Sequence, residues 1–168
     1  MPLPVNERIH AKLFEALQGM TFTAGYSRDW TAYAPTFEGE SQSASETIAE
    51  DGMVKLIWWG PWADDEPTSR APPMRDDFKE AWVAVGYVDG SADRAVQIDK
   101  LLMRARADLV KALCLAELDG LCTQPRTFAF PLPGTVEEHP HLETVGVIIV
   151  CRYQTKRNRH DLLPNESA

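Results

Sequence analysis

His139 and His141 are the residues best suited to chemistry, because they are the only two histidines that lie close together in the sequence. They stand in the segment EEHPHLE at 137–143, where imidazole nitrogens and carboxylates could bind zinc or nickel. The two-residue spacing puts both rings on one side only if the chain is extended, and Pro140 lies between them. The segment is therefore either a metal site or, as its composition favours, a polar loop that leads into the last strand.

Two acidic runs, Asp64–Glu66 and Asp76–Asp77, could supply paired carboxylates for acid–base chemistry or for magnesium. Neighbouring like charges are costly to bury, and such runs usually lie in solvent. We expect both runs to lie in a solvated loop.

The three cysteines, Cys114, Cys122 and Cys151, are an odd number at unrelated spacings, which disfavours a disulfide framework or a zinc knuckle and favours a reducing compartment. Cys114 falls in a predicted helix and Cys151 in a predicted strand, where we expect buried, inert thiols. The sequence contains none of the GxSxG, P-loop, GxGxxG or HExxH motifs. We therefore assign no catalytic, cofactor-binding or metal-binding residues and do not expect an enzyme.

Three tryptophans, Trp58, Trp59 and Trp62, form the densest aromatic cluster in the chain. Strand alternation would put Trp58 and Trp59 on opposite faces of a sheet, so both can be buried only if the sheet is covered on both sides. Tryptophan is also over-represented among the residues that anchor protein partners. The cluster is therefore either core or a protein-binding surface.

The formal net charge of −8 does not favour a general nucleic-acid binder, and the charge is unevenly distributed. Residues 38–77 carry ten acids against three bases, whereas residues 152–159 carry four bases and no acid. The basic residues are Arg152, Lys156, Arg157 and Arg159. This segment is either a solvated strand end or one half of a complementary contact with the acidic region, which would favour a head-to-tail ring.

The pattern of apolar residues predicts a single domain over 1–168 with an α+β fold: a mostly antiparallel mixed sheet packed with a short N-terminal helix and one long central helix. Helices are expected at 7–18 and 92–118, and strands at 54–59, 78–88, 127–130 and 143–154. Long acidic loops are expected near 38–52 and 62–77, and a frayed tail from about residue 160. No signal peptide or membrane-spanning segment is predicted.

The order of these elements and their residue patterns resemble those of a phage protein family. The helix ERIHAKLFEAL precedes an extended region, then the strand WVAVGYV, the turn DGSADRA, a long helix ending in DLVKAL, and the closing strand GVIIVCRYQTKRN. Together they resemble the tail terminator or head-to-tail joining proteins of tailed bacteriophages. The two long acidic loops are larger than that fold needs.

The resemblance implies a virion structural protein of the tail or neck, made in the host bacterial cytoplasm, without catalytic residues or cofactors. Its partners would be further copies of itself in a hexameric ring, the tail tube protein and a head connector or neck protein. DNA would pass through the lumen without specific binding, and no membrane is involved. Two alternatives stay open: a small metal-dependent enzyme that uses His139 and His141, and an accessory binding module that uses the surface from Trp58 to Trp62.

Overall fold

The computed structural model describes residues 3–33, 50–62, 75–91, 98–118, 120–122, 126–137, 139–156 and 159–166. The chain is an α+β protein, as predicted. In chain order its elements are α1 (Val5–Gln18), a short 3-10 helix (Phe22–Ala24), β1 (Thr31–Tyr33), β2 (Met53–Pro61), β3 (Arg75–Asp89), α2 (Ile98–Leu115), β4 (Thr127–Ala129), β5 (Gly134–Val136) and β6 (His139–Lys156).

The described strands form one six-stranded mixed sheet in the order β1-β2-β3-β6-β4, and β5 also pairs with β6. The β1–β2 pair is parallel and the other pairs are antiparallel. The two longest strands, β3 and β6, pair from Arg75 opposite Lys156 to Asp89 opposite Leu142. This pairing forms the centre of the sheet.

Both helices contribute to one core with the sheet face that carries Trp82 and Ile149. In α1 the buried residues Ile9, Leu13 and Leu17 recur every four positions, as one face of a helix requires. In α2 the buried stripe includes Leu109 and Leu113. Burial of each large apolar side chain contributes about 1.5–3 kcal/mol, so the helix-to-sheet contact supplies most of the hydrophobic stabilisation.

Several element boundaries differ from those predicted. The last strand begins at His139 rather than at residue 143, and β5 (Gly134–Val136) is a strand that was not among those predicted. Strand β3 begins at Arg75, so Asp76 and Asp77 belong to the sheet rather than to the predicted 62–77 loop. Each of these strands continues into polar sequence that lacks the residue pattern typical of a strand. Hydrogen bonding to a neighbouring strand keeps this sequence extended. The remainder of the two acidic loops, 38–49 and 63–74, and the start of the predicted long helix, 92–97, lie outside the described residues.

The C-terminal segment 159–166 packs against the protein, whereas the sequence predicted a frayed tail from about residue 160. Leu162 and Leu163 are buried. The backbone N–H of Val5 donates to the His160 carbonyl at 3.0 Å, and Arg8 makes a bidentate ion pair with Glu166 at 3.0 Å. Burial of Leu162 and Leu163 and the bidentate Arg8–Glu166 ion pair hold this segment against the start of α1.

A buried carboxylate, Asp108 of α2, joins the helix to the segment that precedes β1. It accepts hydrogen bonds from the backbone N–H of Ser27 at 3.1 Å, from the Ser27 hydroxyl at 2.5 Å and from Trp30 Nε1 at 2.9 Å. Trp30 in turn packs over Gly86 of β3, where an added Cβ would come within 3.0 Å of the indole ring. Asp108 therefore fixes a core tryptophan against the sheet.

We predict that Asp108→Ala lowers the free energy of unfolding by about 3 kcal/mol, because it leaves the buried Trp30 indole N–H without an acceptor and also removes the acceptor of the partly buried Ser27 hydrogen bonds. Asp108→Asn keeps one acceptor oxygen and should cost less. Urea unfolding of the variants measures both effects. Glu117→Ala removes an exposed carboxylate and serves as the charge-matched control, with an expected change within about 0.5 kcal/mol. Equal losses in Asp108→Ala and Glu117→Ala would contradict the role given to Asp108.

Candidate interaction surface

Strand β2 changes from buried to exposed along its length. Val54 and Leu56 are fully buried, but Ile57, Trp58 and Trp59 that follow them are exposed. The exposed fraction is 44% for Trp58 and 65% for Trp59. Neither of these two tryptophans is therefore a core residue, and the protein-binding interpretation of the cluster remains.

A β-bulge explains why strict alternation fails at the tryptophans. Trp58 pairs with Trp82 and Gly60 pairs with Ala81, so Trp59 is an extra residue on β2 without a counterpart on β3. Gly60 adopts a φ of +102°, in the left-handed region that favours glycine. The bulge thus removes Trp59 from the inward and outward alternation of the strand.

A cavity of about 460 Å³ lies between α1 and the adjoining strands β2 and β3. Its walls are Leu3, Asn6, Glu7, His10, Ala11, Trp58 and Trp82. The volume is within the range of about 300–1,000 Å³ typical of ligand pockets. The cavity is not evident from the sequence, because its wall residues come together only when α1 packs beside β2 and β3.

Glu80, which is buried, holds Trp58 at the wall of the cavity. Trp58 Nε1 donates to Glu80 Oε2 at 2.9 Å, and the hydroxyl of Tyr153 also hydrogen-bonds to Glu80. Burial raises the pKa of Tyr153, and the neighbouring Glu80 carboxylate raises it further. The tyrosine therefore stays a neutral hydrogen-bond donor, and the Trp58 ring is fixed by a charge-assisted hydrogen bond.

Trp82 lines the same cavity and is fully buried. Its indole Nε1–H has no hydrogen-bond acceptor in the described part of the chain. An unsatisfied buried donor costs about 1–3 kcal/mol, so it is an unusual feature in a folded protein.

The basic end of β6 lies at the same end of the sheet as the tryptophans. The backbone N–H of Trp62 donates to the Lys79 carbonyl at 2.8 Å, and Lys79 is paired with Arg152. Trp62, which follows β2, is therefore in line with Lys79 on β3 and Arg152 on β6. This alignment is not evident from the sequence, because the residues lie far apart along the chain.

The basic residues are engaged within their own chain. Lys156 Nζ donates to the Glu166 carbonyl, and Arg159 forms a 3.0 Å ion pair with Asp161. The acids at the end of the 38–77 segment lie on β3 beside this basic strand end, with Asp76 opposite Thr155 and 3.8 Å from His160 Nε2. Part of the complementary charge is thus brought together inside one subunit. Arg157 lies outside the described residues.

His139 and His141 lie on extended strand β6, and their rings are on the same side. The ring centroids are 5.9 Å apart with an edge-to-face angle of 77°. The polar-loop interpretation is wrong for residues 139–143, which belong to β6, and Glu138 lies outside the described residues. Within the described ranges, no group of three or more His, Cys, Asp or Glu side chains could hold a metal ion.

The cysteines differ from what the sequence predicted. Cys151 is buried as expected, but Cys114 is exposed on α2. Half-buried Cys122 forms a thiol hydrogen bond with Cys151, which raises the pKa of Cys151 and lowers that of Cys122. Nothing in the spacing of these cysteines predicts the contact, because it depends on where the chain after α2 meets β6.

No protein-family model matches the chain, and no curated protein matches it. In the part of the chain that the structure describes, no helix is long and apolar enough to cross a membrane.

We predict that His10, in the cavity wall, makes the stability of the protein depend on pH below neutrality. Burial lowers the pKa of His10 from its ordinary value of 6.5, and the Glu7 carboxylate partly opposes this shift. Below about pH 6.5 the unfolded chain binds the proton more readily than the folded one, so stability falls as pH falls toward the folded pKa. Urea unfolding at about pH 7.5 and pH 5 measures the loss.

His10→Gln is the matched control for this pH dependence. The variant should lose less stability over the same pH interval than the wild type, because it has no group to protonate at this position. An identical loss in both proteins would show that His10 does not contribute.

Proposed function

We propose that this chain is a structural protein of a phage tail that caps the tail tube as a ring, stops tube polymerisation and joins the tail to the head connector. The observation that carries the proposal is the exposed pair Trp58 and Trp59 beside a largely apolar cavity. Large exposed aromatic residues next to a pocket are typical of the centres of protein–protein interfaces. Such a surface suits a protein that acts by assembly.

The order of elements also supports the proposal. The segments on which the resemblance rests form α1, β3, α2 and β6, and the latter three lie next to one another in the fold. The proposed partners are further copies of the chain in a hexameric ring, the tail tube protein and a head connector or neck protein. The acidic 38–77 segment would repel a DNA backbone that passes through the lumen, so DNA would not bind there specifically.

A second candidate function is metal-dependent catalysis at His139 and His141. The observation that favours it is the contact between the two rings on an extended strand, since imidazoles are common ligands of zinc and nickel. Metal analysis of the purified protein separates this candidate from the first. Stoichiometric metal that is lost in the His139→Ala variant would favour the metal site.

We predict that Trp59→Ala weakens self-association by about 30-fold, which corresponds to the ~2 kcal/mol typical of an interface anchor, with little effect on folding. Met103→Ala, which truncates an exposed apolar side chain on α2, is the control and should assemble like the wild type. Native mass spectrometry across concentration, alone and with the tail tube protein of the same genome, measures ring formation. Electron microscopy measures tube length.

The wild type should form rings and limit tube length. A wild-type chain that stays monomeric at high concentration in the presence of tube protein would contradict the proposed function and favour an accessory binding module.

A further inference from the structure

The segment Phe130–Pro133, here called the arm, connects β4 to β5 and presents the most exposed large apolar residue of the described chain. Leu132 is 91% exposed, and Phe130 is also exposed. Because β4 and β5 both pair with β6, the arm lies along the edge of the sheet beyond β6. An apolar side chain displayed in this way is a candidate contact with another molecule.

The sequence of the arm, FPLP, makes it stiff. Pro131 and Pro133 have a fixed φ, and Phe130 and Leu132 each precede a proline, which restricts them to extended backbone. The arm is therefore an extended segment of polyproline type, without internal hydrogen bonds and with carbonyl groups available as acceptors. Its binding would cost little conformational entropy.

Contacts with the fold hold the base of the arm in place. Arg106 of α2 donates from Nη2 to the Pro131 carbonyl at 3.3 Å, and its guanidinium lies 5.6 Å from the centre of the Phe130 ring. Pro131 packs over Gly146 of β6, where an added Cβ would lie 2.6 Å from the proline Cγ. These contacts fix Phe130 and Pro131 and leave Leu132 directed away from the fold.

The cavity between α1 and the sheet has the features of a site for such a segment. Pro-rich extended peptides bind in grooves lined by aromatic side chains, and two of the wall residues are Trp58 and Trp82. The cavity thus offers an apolar, aromatic wall to an extended apolar segment.

The arm and the cavity of one chain lie toward opposite edges of the sheet. The arm is on the β4 side of β6, while Trp58 is on β2, and β3 and β6 separate them. A chain therefore cannot fill its own cavity with its own arm. The arm of one copy can fill the cavity of the next, and such a head-to-tail contact repeats around a ring when its rotation closes. Glu7 at the cavity and Arg106 at the base of the arm would add opposite charges to this contact.

We infer that the Phe130–Pro133 arm of one copy occupies the Trp58–Trp82 cavity of a second copy, with Leu132 inserted. The inference rests on the proposed function, in that the contact would join neighbouring subunits of the ring. It also specifies which two surfaces of neighbouring subunits are in contact, namely the arm of one subunit and the cavity of the next.

The first experiment tests recognition without assembly. A synthetic peptide of residues 127–136, TFAFPLPGTV, is titrated into the full chain carrying Leu132→Asp, whose cavity is free of neighbouring arms. The expected result is a saturable shift of the indole N–H resonance of Trp58, the partly exposed tryptophan of the cavity wall, in ¹H–¹⁵N NMR spectra. The same peptide with Leu132→Asp should cause no shift, and Ala11→Phe in the receiving chain, which fills the cavity from an exposed helix position, should abolish the response. A Trp58 resonance unmoved by the wild-type peptide would overturn the inference, even if the protein forms rings.

The second experiment tests the contact in the assembly. Leu132→Asp should lower the ring population at least tenfold in native mass spectrometry, whereas Leu115→Asp, the same change at an exposed position of α2, should leave it unchanged. Rings that form equally well with Leu132→Asp would overturn the inference and leave the proposed function standing. Failure of the wild type to assemble or to cap tubes would instead contradict the proposed function, and the peptide titration would then decide the inference separately.

Discussion

The antiparallel pairing of β3 with β6 is the constraint on which the rest of the structure depends. It runs over the full length of β3, from Arg75 to Asp89, without a change of register. Side chains alternate with a period of two, so a shift of one residue would move Trp82 from the core to the opposite face. The same register sets Glu80 opposite Cys151 and brings the tryptophan-bearing end of β2 into line with the basic end of β6.

Two buried carboxylates each hold a tryptophan in place, one in the core and one at the surface. Asp108 holds Trp30 in the core, where the indole packs over Gly86. Glu80 holds Trp58 at the wall of the cavity, where part of the ring stays exposed. Each carboxylate fixes an aromatic ring through a charge-assisted hydrogen bond. Whether the ring is buried or partly exposed depends on which element covers it.

The two sides of the sheet carry different chemistry, and this asymmetry supports the proposed head-to-tail assembly. The β2 side has a cavity with aromatic walls, and the β6 side has a rigid apolar arm. Charge contributes less than the uneven sequence suggested, because Lys156, Arg159 and Asp76 have partners within one chain. In the proposed ring, shape and apolar contact would therefore determine affinity, while the acidic segment 38–77 would influence what passes through the lumen.

The amino-acid sequence was sufficient to predict the fold class and the central elements. Apolar periodicity predicted α1, the described part of α2 and the inner portions of β2, β3 and β6, because the spacing of buried residues along one element is a local property. Which side chains these elements expose depends on tertiary packing. The bulge at Trp59, the cavity beside His10, the Cys122–Cys151 contact and the placement of His139 in a strand all depend on residues distant in sequence. Strand register and helix docking arise from the packing of the whole chain, and no single segment encodes which of its faces another segment will cover.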